Sequence, residues 1–219
     1  MSIEANLRDF ALKGSIKAKS KLEELAKQKN NYKAKYELGI YLKESNDYVK
    51  AEYWLNILVE EIYINTEIKD DKLLFVLSAM RNLAQILNYK DYYRNDPKRA
   101  FDLYHKLKYM YPEYPKSVAA TVELGIMYYS GEYKDEGIYD PGKGKELIEE
   151  WEHLYNNAYG GDFIHNEPKC GPIGIMFLKN GDIDLAKHYL SKAIKGDYYL
   201  ESEYELRESF KEILASIST

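Results

Sequence analysis

Apolar residues recur along most of the chain at intervals of three and four, the spacing that places them on one face of an α-helix. Tyr36, Leu38, Ile40, Tyr41 and Leu42 form one such cluster, and Leu83, Ile86 and Leu87 another. Near the C-terminal end, Leu200, Tyr204, Phe210, Ile213, Leu214 and Ile217 fall on one broad stripe with Glu and Lys between them, which predicts an amphipathic helix. Toward the N-terminal end Ala18, Leu22, Leu25 and Ala26 follow the same rule. The longest apolar run, "LLFVL" from Leu73, is far too short to span a membrane.

Between these ends the pattern repeats. A small residue at Ala51, Ala100, Gly144 and Ala186 follows an aspartate by four positions each time: Asp47, Asp96, Asp140 and Asp182. An aspartate in this place accepts a hydrogen bond from an otherwise unpaired N–H of the first helical turn and opposes the helix dipole, so it predicts an N-cap. Pro97 and Pro141 then stand at the first helical position, where the missing N–H costs nothing. Upstream of each aspartate, a second apolar stretch carries its own small residue: Gly39 in "YELGIYL", Ala84 in "RNLAQIL", Gly125 in "VELGIMYY" and Gly174 in "GPIGIMFL". Glycine costs about 1 kcal/mol against alanine inside a helix, so three glycines in equivalent places point to close helix packing.

The unit is therefore a first helix, a turn, and an Asp-capped second helix. The two small residues stand 12 positions apart in the first and fourth units, 16 in the second and 19 in the third, so the insertions fall in the turn. The chain divides into an N-terminal helical cap or degenerate unit (1–29), units at 30–64, 71–112, 116–159 and 168–196, and a capping helix at 197–219, all in one repeat domain.

Charge and composition narrow the function classes. The net charge of -5 argues against general affinity for nucleic acid or anionic lipid. Lysines nevertheless dominate Lys13 to Lys35, whereas Asp197 to Glu208 is mostly acidic; two solvated helix faces explain both, and an RNA-binding face on the lysine-rich segment or electrostatic end-to-end pairing is the alternative. Tyrosine, at 23 residues, far outnumbers the other aromatics, which suits half-exposed contact surfaces. The single Cys170 rules out an intramolecular disulfide and fits a reducing compartment. Glu4, Arg8 and Asp9 interrupt the apolar run that a secretory signal would need, and a cytoplasmic protein is expected.

Candidate chemistry is sparse. "GIYDPGKG" has the glycine and lysine spacing of a phosphate loop, but Gly144 stands where Ser or Thr would hold magnesium, and no hydrophobic strand precedes it. His153, Asp162, His165 and Cys170 cluster loosely without the paired spacing of zinc ligands. A metal or catalytic site around His165 and Cys170 is the weakest reading; no cofactor is expected and no enzyme activity is assigned. Trp54 and Trp151, both on second helices, read as packing residues.

The ordered landmarks in "ELGIYLKESNDYVKAEYWL", "NLAQILNYKDYYRNDPKRAFDLY" and "ELGIMYYSGEYKDEGIYDPGKGKEL" resemble the tetratricopeptide superfamily, and particularly its Sel-one-like repeats, over roughly residues 30 to 196. The fourth unit departs from the pattern with "NEPKCGP" in place of an alanine-rich start. The resemblance implies an all-α, right-handed α/α superhelix of about four to five antiparallel helix pairs with a C-terminal capping helix. It also implies a concave face, lined by the first helix of each pair, that binds a protein or peptide. The corresponding positions include Lys33, Tyr36, Lys43, Arg81, Gln85, Asn88, Tyr89 and Tyr129. The expected role is a non-enzymatic scaffold, an adaptor or an inhibitor or immunity-type partner of the bacterial kind. Nothing in the sequence indicates a homo-oligomer.

Overall fold

In the computed structural model of the protein, residues 2–64, 70–159, 169–195 and 201–217 are described, and within them the chain forms eleven α-helices and no strand. The helices are α1 (Ile3–Leu12), α2 (Ile16–Ala26), α3 (Tyr32–Glu44), α4 (Tyr48–Ile64), α5 (Asp70–Leu87) and α6 (Pro97–Met110). They continue with α7 (Pro115–Tyr129), α8 (Pro141–Tyr159), α9 (Cys170–Lys179), α10 (Ile183–Lys195) and α11 (Glu201–Ser216). Two compact units emerge, Met1–Ala120 and Thr121–Thr219, with the division falling inside α7. Among the described residues no helix is long and apolar enough to cross a membrane.

Short polar side chains start several of the helices, among them three of the four aspartates the sequence predicts as caps. Ser2, Ser15 and Asn31 each accept from the N–H three residues on, at 3.2, 3.3 and 3.0 Å. The aspartates at 47, 96 and 140 do the same with Lys50, Arg99 and Lys143, at 3.3, 3.0 and 3.0 Å. Pro97 and Pro141 are the first residues of α6 and α8, and Pro115 opens α7 in the same way. Asp182 takes on a tertiary role: its carboxylate accepts from Tyr129 Oη and, at 2.8 Å, from Lys145 Nζ. Those donors hold its pKa below the usual carboxylate range, the Lys145 bond contributing most and the Tyr129 bond next.

The small residues mark where paired helices touch. A Cβ built on Gly39 would lie 2.7 Å from Leu55 Cδ2, one on Gly125 2.7 Å from Ile148 Cγ1, and one on Gly174 2.7 Å from Leu190 Cγ. Leu55, Ile148 and Leu190 each sit one turn beyond the small residue of their own second helix, so the same contact is made three times. In the pair α7 and α8 both partners are glycine, and the backbones approach closely enough that a Cβ on Gly144 would stand 2.8 Å from Tyr129 N. Ala51, Ala84, Ala100 and Ala186 are fully buried at the matching places.

In the first unit each helix packs on the next, from α1 through α6, and α3 also packs on α1 and α5. The core between them holds Leu22, Leu38, Leu55, Leu58, Leu77, Met80, Leu83 and Ile86. In the second unit α9 packs on α10 and α10 on α11. The ring of Phe210, from α11, lies against Gly171 of α9 and covers that end of the helix. Trp151 is buried within the second unit, while Trp54 in the first is half-buried.

Candidate functional site

The face shared by α3 and α5 is apolar below and polar above. Ser78, Arg81, Gln85 and Asn88 follow one another at intervals of three and four, so they form a stripe along α5 and its C-terminal extension. All four are half-buried. Lys43, on the last turn of α3, reaches across and donates to Asn82 Oδ1 at 2.7 Å and Gln85 Oε1 at 2.5 Å. This bond network ties the two helices together where a purely apolar contact would leave the lysine head without acceptors.

At the other end of the face, aromatic rings replace amides. Phe75 of α5 receives the edges of Tyr32 and Tyr36, with centroids 5.5 and 5.4 Å away. Lys33 Nζ lies 6.0 Å from the Phe75 centroid and 5.9 Å from that of Tyr32. Tyr36 is half-buried, and burial, followed by the neighbouring Glu37 charge, pushes its phenol pKa up. Glu37 is itself buried and raised in pKa by that burial, although Arg8 pairs with it at 2.8 Å and pulls the other way.

Two polar atoms on this face have no partner among the described residues. Arg81 Nε and Asn88 Oδ1 are both buried and make no hydrogen bond. Such orphaned groups cost about 1–3 kcal/mol each, which is why they are uncommon and point to a missing partner. Lys116, in the first turn of α7, is half-buried, and burial, followed by the Arg81 charge, lowers its pKa.

The remaining expected residues have different surroundings. Tyr89 is 43% exposed, beyond the end of α5, with its ring 5.2 Å from that of Tyr48. Tyr48 continues to Tyr92 at 5.9 Å, and Tyr92 to the largely exposed Tyr93 at 5.5 Å. Tyr129 belongs to the second unit and is only 3% exposed, packed 4.6 Å from Phe177 with its hydroxyl on Asp182. Its side chain is spent on holding α7 to α9 and to Asp182 just before α10, so it offers almost no surface to a partner.

The weaker sequence signals are absorbed into the fold. In "YDPGKG", Asp140 caps α8, Gly144 admits α7, and Lys143 Nζ donates to Tyr128 Oη at 2.8 Å. The lysine-rich segment is spread over several environments. Lys13, Lys17, Lys21, Lys27 and Lys29 are exposed, Lys21 pairs with Glu24 at 2.8 Å, and Lys35 is buried with its ammonium on Lys29 O at 2.6 Å. Cys170 is buried and is not part of a disulfide, and His153 is exposed; Asp162 and His165 lie outside the described residues. Among the described residues no three His, Cys, Asp or Glu side chains are grouped to hold a metal ion.

Sequence reasoning missed Asn82, Phe75 and Lys116. Asn82 and Phe75 sit on α5 within reach of α3, a relation the spacing along α5 alone does not contain. Lys116 follows Pro115, whose position at a helix start was a readable signal. Comparison of the chain with protein-family models, with curated proteins and with solved structures returns no match.

Proposed function

We propose that the chain is a tetratricopeptide-like, Sel-one-like helical array, a right-handed superhelix of helix pairs, and that it works as a non-catalytic cytoplasmic scaffold. In this reading it binds an extended segment of another protein along the first helices of its first unit, α3 and α5 with α1 beside them. The array is supported by the repeated contact at Gly39, Gly125 and Gly174 and by the packing of α3 on both α1 and α5. The binding reading is carried by one observation: the polar stripe on α5 keeps Arg81 Nε and Asn88 Oδ1 buried without partners. An extended peptide supplies what each lacks, since its backbone presents a C=O for the guanidinium and an N–H for the amide oxygen at each residue. Tyr36, Gln85 and Tyr89 add adaptable rings and amides on either side.

Selection of displayed random peptides on the wild-type protein tests this. The selected peptides lose binding to a variant carrying Arg81→Ala and Tyr89→Ala whose far-UV circular dichroism is unchanged. Peptides that bind the variant as well as the wild type would place the binding surface elsewhere. Peptides released by moderate salt and competed by RNA would favour the lysine-rich segment instead.

A further inference from the structure

α1 packs on α2 and α3 by the side that carries the buried Ala11 and the Arg8–Glu37 pair. Its other side is apolar too. Ile3, Leu7 and Phe10 follow at intervals of four and three and so share one stripe; Leu7 is half-buried, while Ile3 and Phe10 are 73% and 58% exposed. Ile16, the first residue of α2, is 80% exposed. A helix side left to water carries polar residues, whereas an apolar stripe at the surface marks a contact. α11 has an incompletely covered stripe of its own, in which Leu206, Phe210, Ile213 and Ile217 share one side. Phe210 is buried against Gly171, but Leu206 is 54% exposed and Ile213 and Ile217 are half-buried.

Charge differs sharply between the units that carry the two stripes. Residues 1–120 hold 21 Lys and Arg against 17 Asp and Glu, a net +4, and residues 121–219 hold 10 against 19, a net -9. Directly after α1, Lys13, Lys17 and Lys21 are exposed. The chain running into α11 is the opposite, with Asp197, Glu201, Glu203, Glu205 and Glu208 against Arg207.

We propose that a second copy of this chain covers the α1 stripe with its α11 stripe, in a head-to-tail contact that does not rest on the peptide reading above. Charge decides the pairing. Two α1 stripes face to face would bring two lysine-rich segments together, and two α11 stripes would bring two acidic ones together, so both symmetric contacts are repelled. α1 against α11 sets lysines opposite acids and buries Ile3 and Phe10 against Leu206. The two copies use different patches, so each joined pair still offers one free stripe at α1 and one at α11. One helix side laid on another is a small interface, and the association is accordingly weak and visible at high protein concentration.

Sedimentation equilibrium of the full chain tests this. The weight-average mass rises with protein concentration above that of one chain, and the rise shrinks when sodium chloride is raised from about 50 to 500 mM. Phe10→Gln and Leu206→Gln each weaken self-association about tenfold or more, with circular dichroism and urea midpoint close to the wild type because both side chains are exposed. Mixing the two variants gives the decisive readout. The intact α11 of the Phe10 variant joins the intact α1 of the Leu206 variant, so the mixture forms a one-to-one dimer where neither variant alone associates, and it grows no further. A wild type that stays monomeric at every concentration leaves the α1 stripe to a different partner and overturns the proposal. So does a loss confined to one of the two variants, which is the mark of a symmetric contact, or a mixture that associates no better than its components. Association that strengthens with salt would remove the charge pairing and overturn the head-to-tail assignment with it.

Discussion

Replacing Gly144 with alanine adds one methyl group where α8 meets α7, and the structure says what that methyl encounters. Its position lies 2.7 Å from Tyr129 Cβ, 2.8 Å from Tyr129 N and 2.9 Å from Gly125 O. Comfortable carbon contacts are near 3.5–4.0 Å, so one helix must move by about 1 Å relative to the other. Two of these three atoms are backbone, and no rotamer change relieves them. Overpacking of this kind costs about 1–3 kcal/mol, and the better helix propensity of alanine returns at most about 1 kcal/mol. Gly144 stands in the first turns of α8, where that return is smallest, so the net loss is about 2 kcal/mol. Gly39→Ala is the internal control. Its methyl meets Leu55 Cδ2 and Cγ at 2.7 and 2.8 Å, with the nearest backbone atom 3.7 Å away. A leucine side chain can turn aside, and Gly39 lies in mid-helix, so gain and cost nearly cancel to within about 1 kcal/mol. The assay is urea unfolding by circular dichroism, with Trp151 fluorescence read in a Trp54→Phe background because the chain has two tryptophans and Trp151 is the one in the second unit. With a slope near 2 kcal/mol/M, Gly144→Ala lowers the midpoint by about 1 M and Gly39→Ala by less than about half that. A Gly144→Ala midpoint equal to the wild type, or a larger loss at Gly39, would refute the close-approach reasoning.

Other substitutions test the caps and the Asp182 network. Asp96→Ala removes the carboxylate that accepts from Arg99 N and costs about 1 kcal/mol in urea unfolding, while Asp96→Asn costs a few tenths; equal stability of all three proteins would show that the cap contributes nothing. Asp182 titrates below its ordinary value because Lys145 and Tyr129 donate to its charged form. A depressed pKa contributes stability above the unfolded-state value, near 3.9, and that contribution disappears as pH falls through the lower folded-state value. Urea midpoints measured from pH 6 down to about 2.5 therefore converge between wild type and Asp182→Asn as the solution becomes acidic; parallel curves over that window would remove Asp182 from the acid response.

Much of the helix grammar was readable without coordinates, because caps and first-turn prolines act over three or four residues. Asp96 and Pro97, and again Asp140 and Pro141, mark helix starts through bonds the local chain makes with itself. Tyr129 shows where such reasoning stops. Its helical position matched that of a surface residue, but a period along one helix says which side chains share a face and not which neighbour covers that face. Phe177 and Asp182, far along the chain, bury it.

Gly39, Gly125 and Gly174 announced close packing, since glycine is kept in a helix interior only for a reason stronger than its conformational cost. By itself, then, the sequence determined an all-helical chain, the starts of its main helices and the points where paired helices touch, all consequences of local hydrogen bonding and side-chain size. Only the tertiary structure decided that Lys43 is held by Asn82 and Gln85, that Tyr129 faces inward, and that Arg81 Nε is buried without an acceptor among the described residues. Burial and long-range charge depend on which distant segments meet, and no spacing within a single helix encodes that.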